Sequence, residues 1–314
     1  MSPAPKVLVA SGCAGDADVV SAYIKRHRDE KTWICHASGA AIKPFTRKGV
    51  PFMAYPDDAD AEALLERCGP LEMVIANPSW SSSFETDLIR AAKARGIPTV
   101  SYLDHWVNYR ERFLYPHEGW ERNLPDELWV GDSHAVEIAQ RDFSGRTVRL
   151  VPNQAFVEMK EEFAEAMRKI TEDPQAILFV SEPIDSGVNA LGDMEPISFT
   201  ETEVLEAVIG VVVRHAPDRR LIIRLHPAEP RGKFDAVVAA SGASLDIRVS
   251  DGRTLCEDIA SAPVVVGVET MALAAVVICG KRAISVFLDE SARCRLPFPE
   301  IVKLKNAEEL ADYL

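Results

Sequence analysis

Arg224-Leu225-His226-Pro227 closes the apolar run Leu221-Ile222-Ile223, and further along Val264-Val265-Val266-Gly267-Val268-Glu269-Thr270 leads into an apolar, helix-like stretch, Met271 to Cys279. A guanidinium and an imidazole at one strand end suit an anion, and the free N–H groups that open a helix at the other suit the same charge. Pro227 ends its strand and fixes the backbone where His226 emerges. Together these residues predict a corner that holds a phosphate.

Open parallel sheets bind ligands outside the carboxyl ends of their strands, so the residues just past each apolar run are the candidates. In the second half of the chain these are Ser181-Glu182, Arg224 to Glu229 with His226 and Pro227, Ser250 to Thr254 with Gly252 and Arg253, and Gly267 to Thr270 with Glu269. All four sets are expected to line one pocket. In the first half they are Gly12 to Asp18 with Gly15 and Asp16, Asn77 to Ser79, and the run Asp104-His105-Trp106-Val107-Asn108-Tyr109-Arg110-Glu111-Arg112. That last run joins rings to fixed polar groups, the combination that packs on the apolar faces of a sugar and reads its hydroxyls. Its plainer reading is a surface helix with a salt-bridged face.

Several chemistries find no support. Gly12 to Gly15 is not a GxGxxG fingerprint, no Walker-type GxxxxGK follows a strand, and Ser79 to Ser83 lacks the Gly-x-Ser-x-Gly of a nucleophile elbow. The acidic pairs Asp16/Asp18 and Asp58/Asp60 read as helix starts, where acids suit the dipole, rather than as metal ligands. No metal site is expected.

Short apolar runs alternating with amphipathic stretches predict parallel sheets covered by helices. Strands are expected at Lys6 to Ser11, Thr32 to His36, Pro51 to Tyr55, Met73 to Ala76, Pro98 to Leu103, Glu127 to Gly131 and Thr147 to Val151, with helices at Val19 to His27, Asp60 to Cys68, Glu85 to Arg95 and Ala135 to Phe143. Gly12 to Asp18 reads as a turn. The charged stretch Gln154 to Thr171, flanked by Pro152 and Pro174, reads as a helix joining two domains, and the alternation restarts at Ala176 to Val180. The expected division is a domain over 1–152, a linker helix over 153–174 and a second domain over 175–314. Thr200/Glu203 and Thr254/Glu257 have capping-box spacing, and the helix after the first places Val204, Leu205, Val208, Ile209, Val212 and Val213 on one face. The Gly-, Pro- and Asp-rich run from Ser181 to Phe199 is long for a connection and reads as a loop able to close over a ligand.

With 314 residues, 47% hydrophobic and 26% charged, the chain has the make-up of a globular protein of two domains. A net charge of -13 argues against a sequence-independent grip on nucleic acid, which needs surplus Lys and Arg. The first residues lack the charged start and long apolar stretch of an export signal, and 264–279 is too short and too polar to span a bilayer, so a cytoplasmic location is expected. The six cysteines have no CxxC spacing and read as buried free thiols.

Two Rossmann-like halves joined by a helix, with His226-Pro227 after one strand of the second half and Gly267-Val268-Glu269-Thr270 opening a helix after another, resemble the GT-B glycosyltransferases, in particular the bacterial sialyltransferase-like and CDP-polyol-transferase-like enzymes. The resemblance implies an α/β fold of two Rossmann-like domains facing each other across a cleft, with the acceptor side in the first and the donor nucleotide in the second. It implies that His226 and Arg224 contact the donor phosphate, that Glu269 and Thr270 lie at phosphate or ribose, that Ser181 lies near the same group, and that Gly252, Arg253 and Thr254 lie near the base. Glu269 stands where a small hydroxyl is expected, so a ribose hydroxyl is its implied partner. The C-terminal helix that crosses back to the first domain in such enzymes has no counterpart after Ala307 to Tyr313. Asp16 or Asp104 would take the acceptor proton, His226 would support the departing phosphate, and Gly15, His105, Trp106, Asn108 and Arg110 would bind the acceptor.

The implied activity is metal-independent transfer of a sugar from a CMP- or UDP-linked donor, such as a CMP-nonulosonate, to a glycan, lipid-linked or protein acceptor, without a cofactor. Such acceptors would bring the enzyme to the inner face of the membrane. A hydrolysing UDP-sugar 2-epimerase would share the plan, with Asp16, Asp104 and Glu269 as its acids and bases. A non-catalytic sugar-nucleotide-binding protein is the third reading.

Overall fold

The structure, a computed structural model, describes all residues except 1–3, 57–58, 80–81, 116, 185–197, 242–244 and 290–293. Most of the expected closing loop from Ser181 to Phe199 therefore lies outside the described residues, as does Asp58. Two compact units are present, and among the described residues Val157 ends the first and Glu158 begins the second. The division thus falls inside the helix α6, Gln154–Lys169, rather than at its ends.

The first unit is built on seven parallel strands, β1 Lys6–Ser11, β2 Thr32–Ala37, β3 Met53–Ala54, β4 Met73–Asn77, β5 Thr99–Leu103, β6 Glu127–Val130 and β7 Thr147–Leu150, in the order β3-β2-β1-β4-β5-β6-β7. The second repeats the plan with β8 Ala176–Val180, β9 Arg220–Arg224, β10 Asp246–Val249, β11 Val264–Gly267, β12 Ala283–Val286 and β13 Ile301–Leu304, ordered β10-β9-β8-β11-β12-β13. Both are Rossmann-like sheets, parallel throughout. Sheets covered on both faces need strands without a polar side, which is why Val7 to Ala10 and Ala176 to Phe179 are wholly buried.

The helices that matter to the strand ends are α1 Ala14–Arg26, α2 Ile42–Lys48, α3 Ala61–Cys68, α4 Phe84–Ala94 and α5 Ser133–Asp142 in the first unit, and α7 Glu201–His215, α8 Asp235–Ser241, α9 Leu255–Ser261 and α10 Met271–Ile278 in the second. Both expected capping boxes form, Thr200 with Glu203 and Thr254 with Glu257. Asp60 caps α3 through the N–H groups of Glu62 and Ala63. Five of the six residues expected on the inner face of α7 are among its buried set, which also includes Val211.

Some expectations are corrected. The stretch from Gly12 to Asp18 is not a turn throughout: α1 begins at Ala14, with Asp16 buried and Gly15 set against Asp104. The strand expected over Pro51 to Tyr55 shrinks to Met53–Ala54 at the sheet edge. Helix α2 and strands β10, β12 and β13 carry patterns too short to stand out from their surroundings, and only neighbouring elements make them regular.

Candidate functional site

In each unit the strand order reverses beside the first strand, between β1 and β4 and again between β8 and β11, and ligands of such sheets bind at this switch.

At the first switch Ser11 and Asn77 are buried, the Asn77 amide donating to Ser11 Oγ at 3.3 Å and accepting from Tyr102 N at 2.7 Å. Beyond them lie three carboxylates and one guanidinium. Asp16 on α1 and Glu85 on α4 are wholly buried, and Arg112, on a 3-10 turn Glu111–Phe113, is 4% exposed. Arg112 pairs with Asp104 at 2.5 Å, and its Nη2 donates to His105 Nε2 at 2.8 Å. Tyr55 donates to Glu85 at 2.5 Å and Ser79 to the same carboxylate at 3.3 Å.

Two glycines make this packing possible. A Cβ on Gly15 would stand 2.0 Å from Asp104 Oδ2, and one on Gly12 would stand 2.7 Å from Glu85 Oε1. Among the described residues neither oxygen of Asp16 has a hydrogen-bond partner of good geometry.

One cation among three carboxylates forces the protons apart. Burial, reinforced by Asp104, pushes Asp16 well above the usual carboxylate range, and burial also raises Glu85 against the pull of its Tyr55 bond. Burial opposes the charge on Asp104 too, but the Arg112 guanidinium outweighs it and holds that carboxyl below its ordinary value. Asp16 is therefore the carboxyl that its surroundings press to keep a proton, and Asp104 the one pressed to give it up.

Not every predicted acceptor residue faces a ligand. Trp106 is 3% exposed, donates its indole N–H to Asp132 at 2.9 Å and stacks on Phe156, so it is core rather than a sugar platform. Arg110 ties the Asp142 carbonyl at 2.9 Å and lies over Tyr115, which makes it a strap. Asn108 holds a left-handed backbone conformation, φ 56°, that asparagine tolerates. Gly15 and His105 do join Asp104. Arg112, Glu85 and Tyr55 were the unassigned members; Arg112 stood in the same run as Asp104, but Glu85 looked like an ordinary acid opening a helix.

At the second switch, Glu182 after β8 accepts from Glu269 N after β11 at 2.6 Å. Glu269 in turn pairs with Arg295 at 2.6 Å, which neutralises the anion that stood out of place in the sequence. Burial pushes Glu182 up to about 7, only partly offset by the Glu269 N–H. Gly267 lets β11 approach Val180, whose carbonyl would lie 2.9 Å from a Cβ there. Thr270 spends its hydroxyl on Ala272 N as the cap of α10.

The β9 end joins this group through Glu229, a residue of the quoted motif with no assigned role. Its carboxylate accepts from Ser181 Oγ at 2.9 Å, from His226 N at 2.7 Å and from Lys233 at 2.9 Å. His226 Nδ1 accepts from Ala228 N at 3.2 Å, so the ring proton of the neutral form sits on Nε2. Burial lowers the His226 value, making it a neutral donor rather than a cation.

Arg224 has a different job from the one expected. Its guanidinium pairs at 2.5 Å with Asp258, which is fully buried on α9, and also donates to the Arg253 carbonyl. Ser250 donates to the same carboxylate at 2.6 Å. The charge is consumed because a buried carboxylate requires it. Gly252, Arg253 and Thr254 are exposed on this second corner, with Thr254 occupied as the cap of α9. Pro227 is exposed beside His226. Arg295 had no signal in the sequence, since it lies in a loop far from Glu269.

Among the described residues no group of three or more His, Cys, Asp or Glu is placed to hold a metal ion, and no helix is long and apolar enough to cross a membrane. Asp18 of the first acidic pair instead faces Arg47 and Lys48.

No protein-family model matches the chain, and no curated protein matches it by sequence. Solved structures do. A UDP-GlcNAc 2-epimerase from Neisseria meningitidis bound to UDP-GlcNAc is similar with TM-score 0.62 at 10% identity, over 98% of this chain and 90% of the other. Anabaena HepE in complex with UDP and glucose gives TM-score 0.62 at 10% identity, over 98% and 88%. MurG from Acinetobacter baumannii gives TM-score 0.55 at 14% identity, over 91% and 79%. The likeness establishes the fold, two Rossmann-like domains of the GT-B kind.

Proposed function

We propose that this chain is a sugar-nucleotide enzyme and that hydrolysing 2-epimerisation of a UDP-sugar is the reaction its residues suit best. What supports this reading is the placement of Asp16 and Asp104 around the single guanidinium of Arg112, where burial pushes the Asp16 carboxyl up and Arg112 holds that of Asp104 down. Groups whose surroundings push their proton affinities apart are acid and base partners. Hydrolysing epimerisation at a carbon beside the anomeric centre needs both, a base to take the carbon-bound proton as the bond to phosphate breaks and a C1–C2 double bond forms, and an acid to return a proton to that carbon as water adds its hydroxyl at the anomeric carbon.

Asp104, whose carboxyl Arg112 holds below its ordinary value and whose side chain is 8% exposed, is the base in this reading. Asp16, protonated and sealed behind it, is a proton reserve rather than the group that meets the sugar. In the second unit His226 Nε2–H and the first turn of α10 hold the phosphate, and Glu269, with Glu182 beside it, takes ribose hydroxyls. The fold shared with enzymes solved with UDP favours a uridine donor over the cytidine one suggested by the His226-Pro227 motif. The reaction is metal-independent on this reading.

Glycosyl transfer is the second reading, since a single ionised Asp104 would also take an acceptor's proton. Two measurements separate them. UDP should raise the melting temperature more than CMP, CDP, UMP or GDP, because a ligand that binds only the folded form stabilises it. Incubation with UDP-HexNAc and no acceptor should release UDP and the C2-epimeric sugar. Release of UDP only when an acceptor is added supports transfer, and no thermal shift with any nucleotide removes both readings.

A further inference from the structure

One lysine is joined to the His226 corner through a carboxylate. Lys233 lies between β9 and α8 with its side chain 13% exposed, and its ammonium meets two acids. The first is Glu229, whose side chain is 1% exposed, at 2.9 Å. The second is Glu201, the wholly buried first residue of α7. Lys233 Nζ also stands 5.6 Å from the centroid of the Phe234 ring, a cation–π distance, and Phe234 meets Phe179 of β8 edge-on.

Each carboxylate carries the connection to the strand ends. Glu229 Oε1 accepts from Ser181 Oγ at the end of β8 as well as from Lys233, while Oε2 accepts from His226 N at the end of β9. The Glu229 N–H returns to the His226 carbonyl at 2.9 Å, so this turn closes on itself, and within it Ala228 N orients the imidazole. Glu201 accepts from Ile184 N at 3.1 Å, in the segment that follows Glu182.

We propose that Lys233 is a positioning residue of the second switch, holding the segments after β8 and β9 in the arrangement that presents Ser181 and His226 to the phosphate of a nucleotide. One ammonium between two buried carboxylates, each bonded to the backbone of a different strand-end segment, carries this inference. It rests on the nucleotide reading for its ligand, though not for its geometry. Lys233 acts through Glu229 and Glu201 and touches no ligand itself. Without the cation both acids would be buried and unpaired, a state costly enough to pull them out of place and release the segments they hold.

The test compares the full chain with Lys233→Met and Lys233→Arg, by hydrogen exchange without ligand and by calorimetric titration with UDP. In Lys233→Met, peptides covering Ser181 to Ile184 and His226 to Glu229 should lose protection while those of β8, β9 and β11 keep theirs. UDP affinity should fall about tenfold, the worth of one hydrogen bond. Lys233→Arg keeps a cation between the acids and should recover most of both. Lys233→Met combined with Glu201→Gln leaves one buried acid fewer without a cation, and gives the same comparison should the single variant not fold. Unchanged exchange in the two segments, an even loss of protection across the unit, or UDP bound as tightly by Lys233→Met as by the unsubstituted chain would each overturn the inference. An unsubstituted chain that ignores UDP, with both segments loosened in Lys233→Met, would remove the nucleotide reading and leave the positioning role standing.

Discussion

The two sheets share one strand order over six strands, with β7 added at the end of the first, but their switch points are built in opposite ways. The first buries its charges: Asp16, Glu85 and Arg112 are 0 to 4% exposed, and the Asp104 side chain is 8% exposed. The second leaves His226 and Glu182 only partly buried, and neutralises Glu269, 11% exposed at its side chain, with the outlying Arg295, 41% exposed. Equal topology therefore fixes where chemistry can sit, while the depth of the side chains decides whether a charge serves the fold or meets a ligand. A deep site pre-sets protonation, and a shallow one keeps groups free for binding.

The largest test of this contrast removes Arg112. Arg112→Leu leaves the Asp104 carboxylate buried and unpaired beside two other acids, and should cost about 3–5 kcal/mol of stability in urea denaturation. A loss as small as that of an exposed ion pair, about 1 kcal/mol or less, would erase the distinction between the two sites. His226→Ala should do the reverse, leaving the urea midpoint nearly unchanged while weakening UDP binding by about 1.5–3 kcal/mol in calorimetry.

Glu182 sharpens the comparison through pH. Its native value of about 7 lies above its unfolded value, so the folded state binds the extra proton between the two. The stability it contributes is complete below the unfolded value and is lost as pH rises through about 7. UDP affinity should fall over the same rise, since the newly charged carboxylate repels phosphate. Glu182→Gln should flatten both dependences, and an unchanged affinity profile would remove Glu182 from the nucleotide site. The smallest effect belongs to Arg295→Ala, which should change stability by about 1 kcal/mol, because solvent screens the guanidinium, 41% exposed, although its partner Glu269 is 11% exposed. A much larger loss would make the second site as structural as the first.

Much of this was legible in the residues. Strands β1, β4, β5, β8 and β9 announce themselves as apolar runs, and Thr200/Glu203 and Thr254/Glu257 declare two helix starts, because backbone propensity and capping act within a few residues. Asp16, Asp104, His226, Glu182 and Glu269 could be nominated because strand ends are where such sheets bind. Trp106 and Arg110 were indistinguishable from ligand-facing residues, since whether a ring is buried depends on Asp132 and Phe156 from distant segments.

Sequence alone determined the alternation of strand and helix, the two-unit plan and the positions where chemistry could collect, all properties set by neighbours along the chain. Tertiary structure decided the partners: Arg224 with Asp258, Asp104 with Arg112, and Glu182 with the Glu269 N–H, 87 residues away. It also decided which acid keeps its proton. Charge and hydration are settled by distances through space and by burial, and neither is written in the spacing of residues.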